Sequence, residues 1–354
     1  MTRRLIGVLA LSASVPALAG PATPSPEVFT VGTASAASGK KATGFLSIPA
    51  GSDAGTEIPV AVVRGAKSGP VLALVSGAHG TEYASIAAIE ELIGRLDPAQ
   101  LSGTVVLVPL VNVASFEGKV PHVNPVDGKS MNRFYPGRAD GTQTERALLA
   151  MTREVVERCD YLIDLHGGDL DEDLRPYAYW VKTGNAKLDA ASREMVLAFG
   201  LDTIIVATDR PTDAASSRYL DSTATTRGKP AITVEAGRAG TVDQEDVRAL
   251  VDGCLSVMRQ LRMLAGEPAR VEHPVWITTL HAVASDATGI FHPLVKRGSY
   301  VAAGAPLGYV TDYFGREVFR ARAPAAGIVL YVGAVPSMKK GDTLASIGVP
   351  GAGD

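Results

Sequence analysis

Two short phrases hold the residues best suited to chemistry: Ser76-Gly77-Ala78-His79-Gly80-Thr81-Glu82 and Asp164-Leu165-His166-Gly167-Gly168. Each follows an apolar run, residues 71–75 and 161–165, that reads as a buried strand. Each sets a histidine beside glycine at the strand's end, the edge of an open parallel α/β sheet where ligands bind. Two imidazoles and a carboxylate form a mixed nitrogen and oxygen donor set. Such a set suits a catalytic zinc ion that keeps one position open for water. His79 and Glu82 lie three residues apart at a strand-to-helix junction, a spacing that turns both side chains toward one point. His166 must arrive from a separate strand. Asp164 shares its face by strand alternation, either as the acceptor that orients His166 or as a buried, paired carboxylate.

Two further groups fit around such a centre. Glu235 ends an apolar run, residues 231–234, and is followed by Ala236-Gly237-Arg238. A carboxylate there suits a general base that later protonates a leaving group; the alternative is an ion pair with Arg238. Asn132-Arg133 offers a fork and an amide for a substrate carboxylate, or is a surface pair. The acidic run 169–173 reads as a solvated loop more readily than as a second cation site. Tyr177, Tyr179 and Trp180 line a pocket rim or belong to a core strand.

The elements that must carry these residues alternate. β-structure over residues 43–63 leads into the first core strand. Helical spacing follows over 83–96, a strand over 105–111, a long polar segment over 112–141, and a helix over 144–158 feeding the His166 strand. A helix over 188–199, short strands at 204–207 and 231–234, and a helix over 244–264 complete the pattern. Strands alternating with helices predict an α/β fold, a mainly parallel mixed sheet flanked by helices. Beyond Gly266-Glu267-Pro268, short β-type runs punctuated by glycine and proline predict a small all-β domain over 267–350. Lys296-Arg297-Gly298-Ser299-Tyr300-Val301 and Lys339-Lys340-Gly341-Asp342-Thr343-Leu344 suggest a two-fold internal repeat.

The chain has 354 residues, 46% of them apolar, and a net charge of −3, with no basic run; nucleic acid is not an expected partner. Residues 1–19 read as a signal peptide: Arg3 and Arg4, a short apolar stretch, then Ala17-Leu18-Ala19 as a small-x-small cleavage pattern. A periplasmic or secreted protein with no stable membrane span after signal removal is expected. The alternative is anchoring through an uncleaved N-terminal segment. Residues 20–42 read as a flexible lead-in and 43–266 as the hydrolase domain. Cys159 and Cys254 are expected as buried free thiols, with a disulfide as the alternative.

Four motifs in order carry a family resemblance: Gly-Ala-His79-Gly-Thr-Glu82, Asp127-Gly-x-x-x-Asn132-Arg133-x-x-Pro-Gly, Asp164-Leu-His166-Gly-Gly and Val-Glu235-Ala-Gly. Together they resemble the succinylglutamate desuccinylase/aspartoacylase family, relatives of zinc carboxypeptidases, over roughly residues 45–350. The resemblance implies a zinc carboxypeptidase-like fold with one Zn2+ per chain, held by His79, Glu82 and His166. It implies Glu235 as the catalytic carboxylate and Asn132 and Arg133 as the grip on a small substrate's carboxylate. The implied reaction is hydrolysis of an amide in an N-acyl amino acid or related substrate. An exported metallocarboxypeptidase acting on peptides or cell-wall fragments, or an esterase-type relative, is the alternative. Many relatives carry an arginine near the position of His122, so His122, Arg238, Arg138 or Arg218 is expected to polarise the scissile carbonyl. The C-terminal domain resembles a barrel-sandwich carrier domain, but residues 311–317 lack the lysine a carrier needs, so a structural role at the site's mouth is expected. A non-catalytic binding protein would have lost a ligand or Glu235; all are present.

Overall fold

The computed structural model describes residues 27–353. Its centre is four parallel strands: Ser102–Val108, Lys67–Ser76, Tyr161–His166 and Ala231–Arg238, in that spatial order. These are near-continuous apolar runs because both faces are covered. One face, with Leu72, Leu74, Ile163 and Val234, packs against helices Tyr83–Arg95, Ala186–Phe199 and Gln244–Gln260. The alternate residues Ala73, Val75, Leu162 and Ala231 face helices Gln143–Met151 and Leu220–Thr225.

The full sheet has twelve strands and is mixed rather than mainly parallel. Thr56–Arg64 and Lys40–Ile48 extend one flank antiparallel. On the other flank Glu172–Val181 runs antiparallel to Ala231–Arg238. Antiparallel neighbours need only short connections, whereas each parallel pair needs a crossover. The short links at residues 49–55 and 167–171 therefore reverse the chain.

The described part of the expected lead-in is ordered β-structure. Val28–Val31 pairs with Ala34–Ala37, and Lys40 already begins an edge strand. Val31, Ala34 and Ala36 are buried in the core, so small apolar residues at period two outweigh the Ser/Ala/Gly composition. The polar segment 112–141 contains a short helix, Val113–Gly118, capped where Asn112 Oδ1 accepts the Ser115 amide.

No helix occurs among the described residues beyond 266. This part has its own core around Phe291, Leu307, Val310 and Ile347. It is nevertheless stitched into the central sheet. Val275–Ala284 pairs with Thr203–Ala207, Thr343–Pro350 and Gly327–Gly333 follow, and Gly327–Gly333 pairs back onto Glu172–Val181. These five strands form a closed ring filled by Tyr177, Ile205, Ile277, Ile328 and Leu330. The repeated phrases make the same turn: the Lys296 amide donates to Ser299 Oγ, the Lys339 amide to Asp342 Oδ2, and Gly298 and Gly341 are left-handed.

Cys159 and Cys254 are free and buried. Among the described residues no helix is long and apolar enough to cross a membrane. The signal-type segment 1–19 lies outside the described residues.

Gly253 sits where helix Gln244–Gln260 meets Phe199, and a Cβ there would run into the phenyl ring. Alanine in mid-helix gains about 1 kcal/mol over glycine. Overpacking a core costs about 1–3 kcal/mol. Phe199 is buried and cannot swing aside. Gly253→Ala is therefore expected to lower the urea midpoint with an unchanged slope. An equal or higher midpoint would refute this packing argument.

Candidate active site

Lys67–Ser76 and Tyr161–His166 end at the same level, with Ser76 in register with Leu165. Glu235 is in register with His166 on the next strand. Three neighbouring strands therefore bring Ser76, His166 and Glu235 to one level of the sheet. After Ser76 the chain turns through Gly77, which is left-handed, and Gly80 lies against the backbone of Asn112, where a Cβ would sit 2.7 Å from the carbonyl oxygen. That tight turn presents His79, and Glu82 caps helix Tyr83–Arg95.

The Glu82 carboxylate lies between the two imidazoles. His79 Nδ1 is 2.7 Å from Oε1, and His166 Nδ1 is 2.9 Å from Oε2. The Gly167 amide donates to Oε2 at 3.1 Å. Candidate donor atoms of the three residues lie within 4.8 Å of one another. Burial alone would raise the Glu82 pKa, but the two imidazoles overcome it and hold the carboxyl down to about 2. Burial pulls His166 down, and Asp164 and Glu82 outweigh it, so its pKa is raised.

Outer partners fix both rings. His166 Nε2 lies 3.3 Å from Asp164 Oδ2 and 3.3 Å from the Asn132 amide nitrogen. His79 Nε2 lies 3.3 Å from Ser130 Oγ. Carboxylate, amide and hydroxyl contacts of this kind set ring orientation at metal centres. Two converging imidazoles, one ionised carboxylate and an open approach fit a zinc ion.

The approach is a cavity of about 520 Å³ bordered by His79, Glu82, His166, Glu235, Arg133 and Arg210. Burial raises the Glu235 carboxyl well above the usual range, opposed by His166 and reinforced by Glu82. Glu172 also borders the cavity and is pushed up to about 7 by burial and by Glu82. Tyr177 and Tyr179 line the wall, whereas Trp180 is in the core and donates to the Asp189 carbonyl. Ala282, Tyr331, Thr343 and Ser346 bring the C-terminal strands to the cavity.

Asn132 and Arg133 are held by a bridge between Tyr135 and Arg218 and by the Leu220 amide donating to Asn132 Oδ1. Arg133 is exposed and stacks on Tyr219, 5.0 Å from its ring centre. Arg210 stacks on the same ring at 4.3 Å and on Tyr179 at 5.1 Å. Its Nε lies 3.4 Å from buried Asp221 Oδ2 but has no hydrogen-bond partner. Arg210 was missed from the sequence. It follows the Thr203–Ala207 strand, so the strand-end rule that found the histidines also points to it.

The expected carbonyl-polarising groups are engaged with other side chains. The His122 ring lies 6.2 Å from that of His79, centre to centre, with its Nε2 2.9 Å from Asp171 and its Nδ1 3.2 Å from Asp169, and Arg218 lies 5.5 Å from the Tyr219 ring centre. The Asp171 hydrogen bond outweighs burial and raises the His122 pKa to about 9. Arg238 pairs with Asp243 at 2.7 Å, and Arg138 with Asp140 and Glu145. The acidic run is not a solvated loop. Asp169 is buried and accepts from Thr81 Oγ1 and the His122 amide, and Asp173 meets Arg297.

A mixed α/β sheet carrying a His/Glu/His cluster that could hold a metal ion and a carboxylate beside it defines a hydrolase-type scaffold. The chain belongs to the succinylglutamate desuccinylase/aspartoacylase family: residues 68–261 match its catalytic domain. It is 30% identical over 315 residues to an N-alpha-acetyl-L-2,4-diaminobutyric acid deacetylase of Halomonas elongata, covering 86% of this chain and 90% of that one. The product-bound structure of the ectoine utilization protein EutE (DoeB) from Ruegeria pomeroyi superposes with a TM-score of 0.79 at 26% identity, over 87% of this chain and 95% of that one. A succinylglutamate desuccinylase/aspartoacylase from Rhodobacter sphaeroides shares the fold, with a TM-score of 0.79 at 24% identity over 88% and 96% of the two chains.

His79→Ala and His166→Ala should each strip most of any bound metal, since a three-residue site loses affinity steeply with one ligand gone. Elemental analysis of purified wild type and variants reads this directly. Stoichiometric metal in both variants would refute the ligand assignment.

Proposed function

We propose that this protein is a zinc-dependent deacylase that hydrolyses the amide of an N-acyl amino acid. The observation that carries the reading is the meeting, in one cavity, of the His79/Glu82/His166 cluster, Glu235 and two guanidiniums. The Halomonas relative is named as the deacetylase of an N-acetylated amino acid, which supports the substrate class. Zinc, when bound, supplies a Lewis acid for the scissile carbonyl and acidifies water.

The chain's own residues supply the rest. Glu235 takes a proton from the water that attacks the acyl carbon. It returns that proton to the amide nitrogen as the carbon–nitrogen bond breaks, releasing an amine and a carboxylic acid, whose remaining proton passes to the amine or to solvent. Its buried position raises its proton affinity, the condition for a carboxylate that must both accept and donate near neutral pH. Asp164 and Asn132 hold His166, and Ser130 holds His79. Arg133 and Arg210, spread over the Tyr219 ring, receive the substrate's carboxylate. Tyr331 closes the cavity from the C-terminal strands. The proposal includes export to the periplasm or outside the cell, which rests on the signal-type pattern of residues 1–19.

Glu235→Gln is expected to retain zinc and fold while losing about 10²–10⁴ in kcat on an N-acetyl amino acid. Near-normal turnover would return Glu235 to a structural role. Arg133→Ala and Arg210→Met are each expected to lose about ten- to a hundredfold in kcat/KM on the free acid but little on its methyl ester or primary amide. A wild type that prefers the ester or amide would remove the carboxylate grip from the mechanism.

A further inference from the structure

A second cavity lies at the opposite end of the central strands. Its volume is about 140 Å³, and its wall includes Arg64, Lys67, Ser68, Thr104 and Phe29. Arg64 ends the Thr56–Arg64 strand. Its side chain is only 8% exposed. Nη1 is sealed from solvent with no hydrogen-bond partner, and no acidic residue pairs with the guanidinium among the described residues. Asp160 is committed elsewhere: its Oδ2 accepts the Val71 amide at 2.8 Å. The other arginine of this fold buried to the same degree is treated differently: Arg146 meets Asp53 and four carbonyl groups.

A buried guanidinium carries five donors and a charge that cannot be discharged by losing a proton. Left unpaired it is costly, and a bound anion removes that cost. The Thr104 and Ser68 hydroxyls and the Lys67 ammonium add donors on the same wall. The volume suits a phosphate or a short monocarboxylate and excludes a nucleotide. We propose that this cavity is a binding site for a small oxyanion, gripped by the fork of Arg64. It is separate from the catalytic centre. Lys67 begins the strand that Ser76 ends, and at about 3.3 Å per residue the two ends are roughly 30 Å apart.

A ligand that binds only the folded protein raises its melting temperature saturably. The full-length, zinc-loaded protein is titrated with sodium phosphate and, separately, sodium acetate, each against sodium chloride at equal ionic strength. The proposal expects a saturable rise of a few degrees in wild type with at least one of the two. The rise should be retained in Arg133→Ala and lost in Arg64→Met, whose kcat/KM on an N-acetyl amino acid stays at the wild-type value. A larger response to phosphate identifies a tetrahedral oxyanion; a larger response to acetate identifies a monocarboxylate. No saturable rise, or an equal rise in Arg64→Met, overturns the site without touching the deacylase reading. Should Arg64→Met fail to fold, wild-type crystals soaked in selenate decide: an anomalous peak beside Arg64 supports the site, and its absence there overturns it.

Discussion

Glu82 is a carboxylate taken out of water, and the site is arranged around that fact. A buried carboxylate must find charge and hydrogen bonds or else become protonated. Here it finds His79 on one oxygen, and His166 and the Gly167 amide on the other. That solution dictates the backbone around it. His166 and Gly167 must end a strand at the level where the chain after Ser76 turns, so the register between the two strands is fixed. Glycine is required at the close contacts: a Cβ at Gly168 would sit 2.6 Å from the Arg238 Cα and from the Gly237 carbonyl oxygen. The packing that lets His166 reach Glu82 thus also brings the Glu235 strand alongside.

Charge in the cavity is laid out in two zones. Glu82, Glu172 and Glu235 cluster with the histidines, and burial makes Glu172 and Glu235 hold protons more tightly. Arg133 and Arg210 border the same cavity and stack on the Tyr219 ring. A tyrosine face attracts a cation without neutralising it. Asp221 lies close enough to Arg210 to steady it, yet Nε keeps no hydrogen bond. The guanidinium is therefore held in place at the border of the cavity.

The parts of this arrangement that depend on local pattern were legible in the sequence. The apolar runs before His79 and His166 read as strands and are strands. Alternation placed Asp164 beside His166, and the two are in contact. What escaped depended on pairing between distant segments. Glu172–Val181 mixes acidic and aromatic residues because one neighbour is the Glu235 strand and another is Gly327–Gly333. No window of the sequence shows that. His122 drew attention by position in a motif, and its ring does lie near His79, but both its nitrogens are engaged by Asp169 and Asp171. Residues 28–37 were obscured by composition, since alanine at period two, as at Ala34 and Ala36, buries as well as valine where a neighbouring strand is close.

The closed ring of five strands leaves no free edge between the catalytic sheet and the C-terminal strands. A hinge would have to break a ladder of backbone hydrogen bonds, so the wall bearing Tyr331 is a fixed aperture rather than a lid. Selection at the entrance is then a matter of static shape, set once when the protein folds. The ring also closes late. Its members span residues 172–350, and the pairing of Gly327–Gly333 with Glu172–Val181 joins segments about 150 residues apart in the chain. Such distant pairing is slow to form. A chain emerging from its N-terminus lacks the finished aperture until its last strands arrive, and the binding cavity is among the final features of the molecule to acquire its shape.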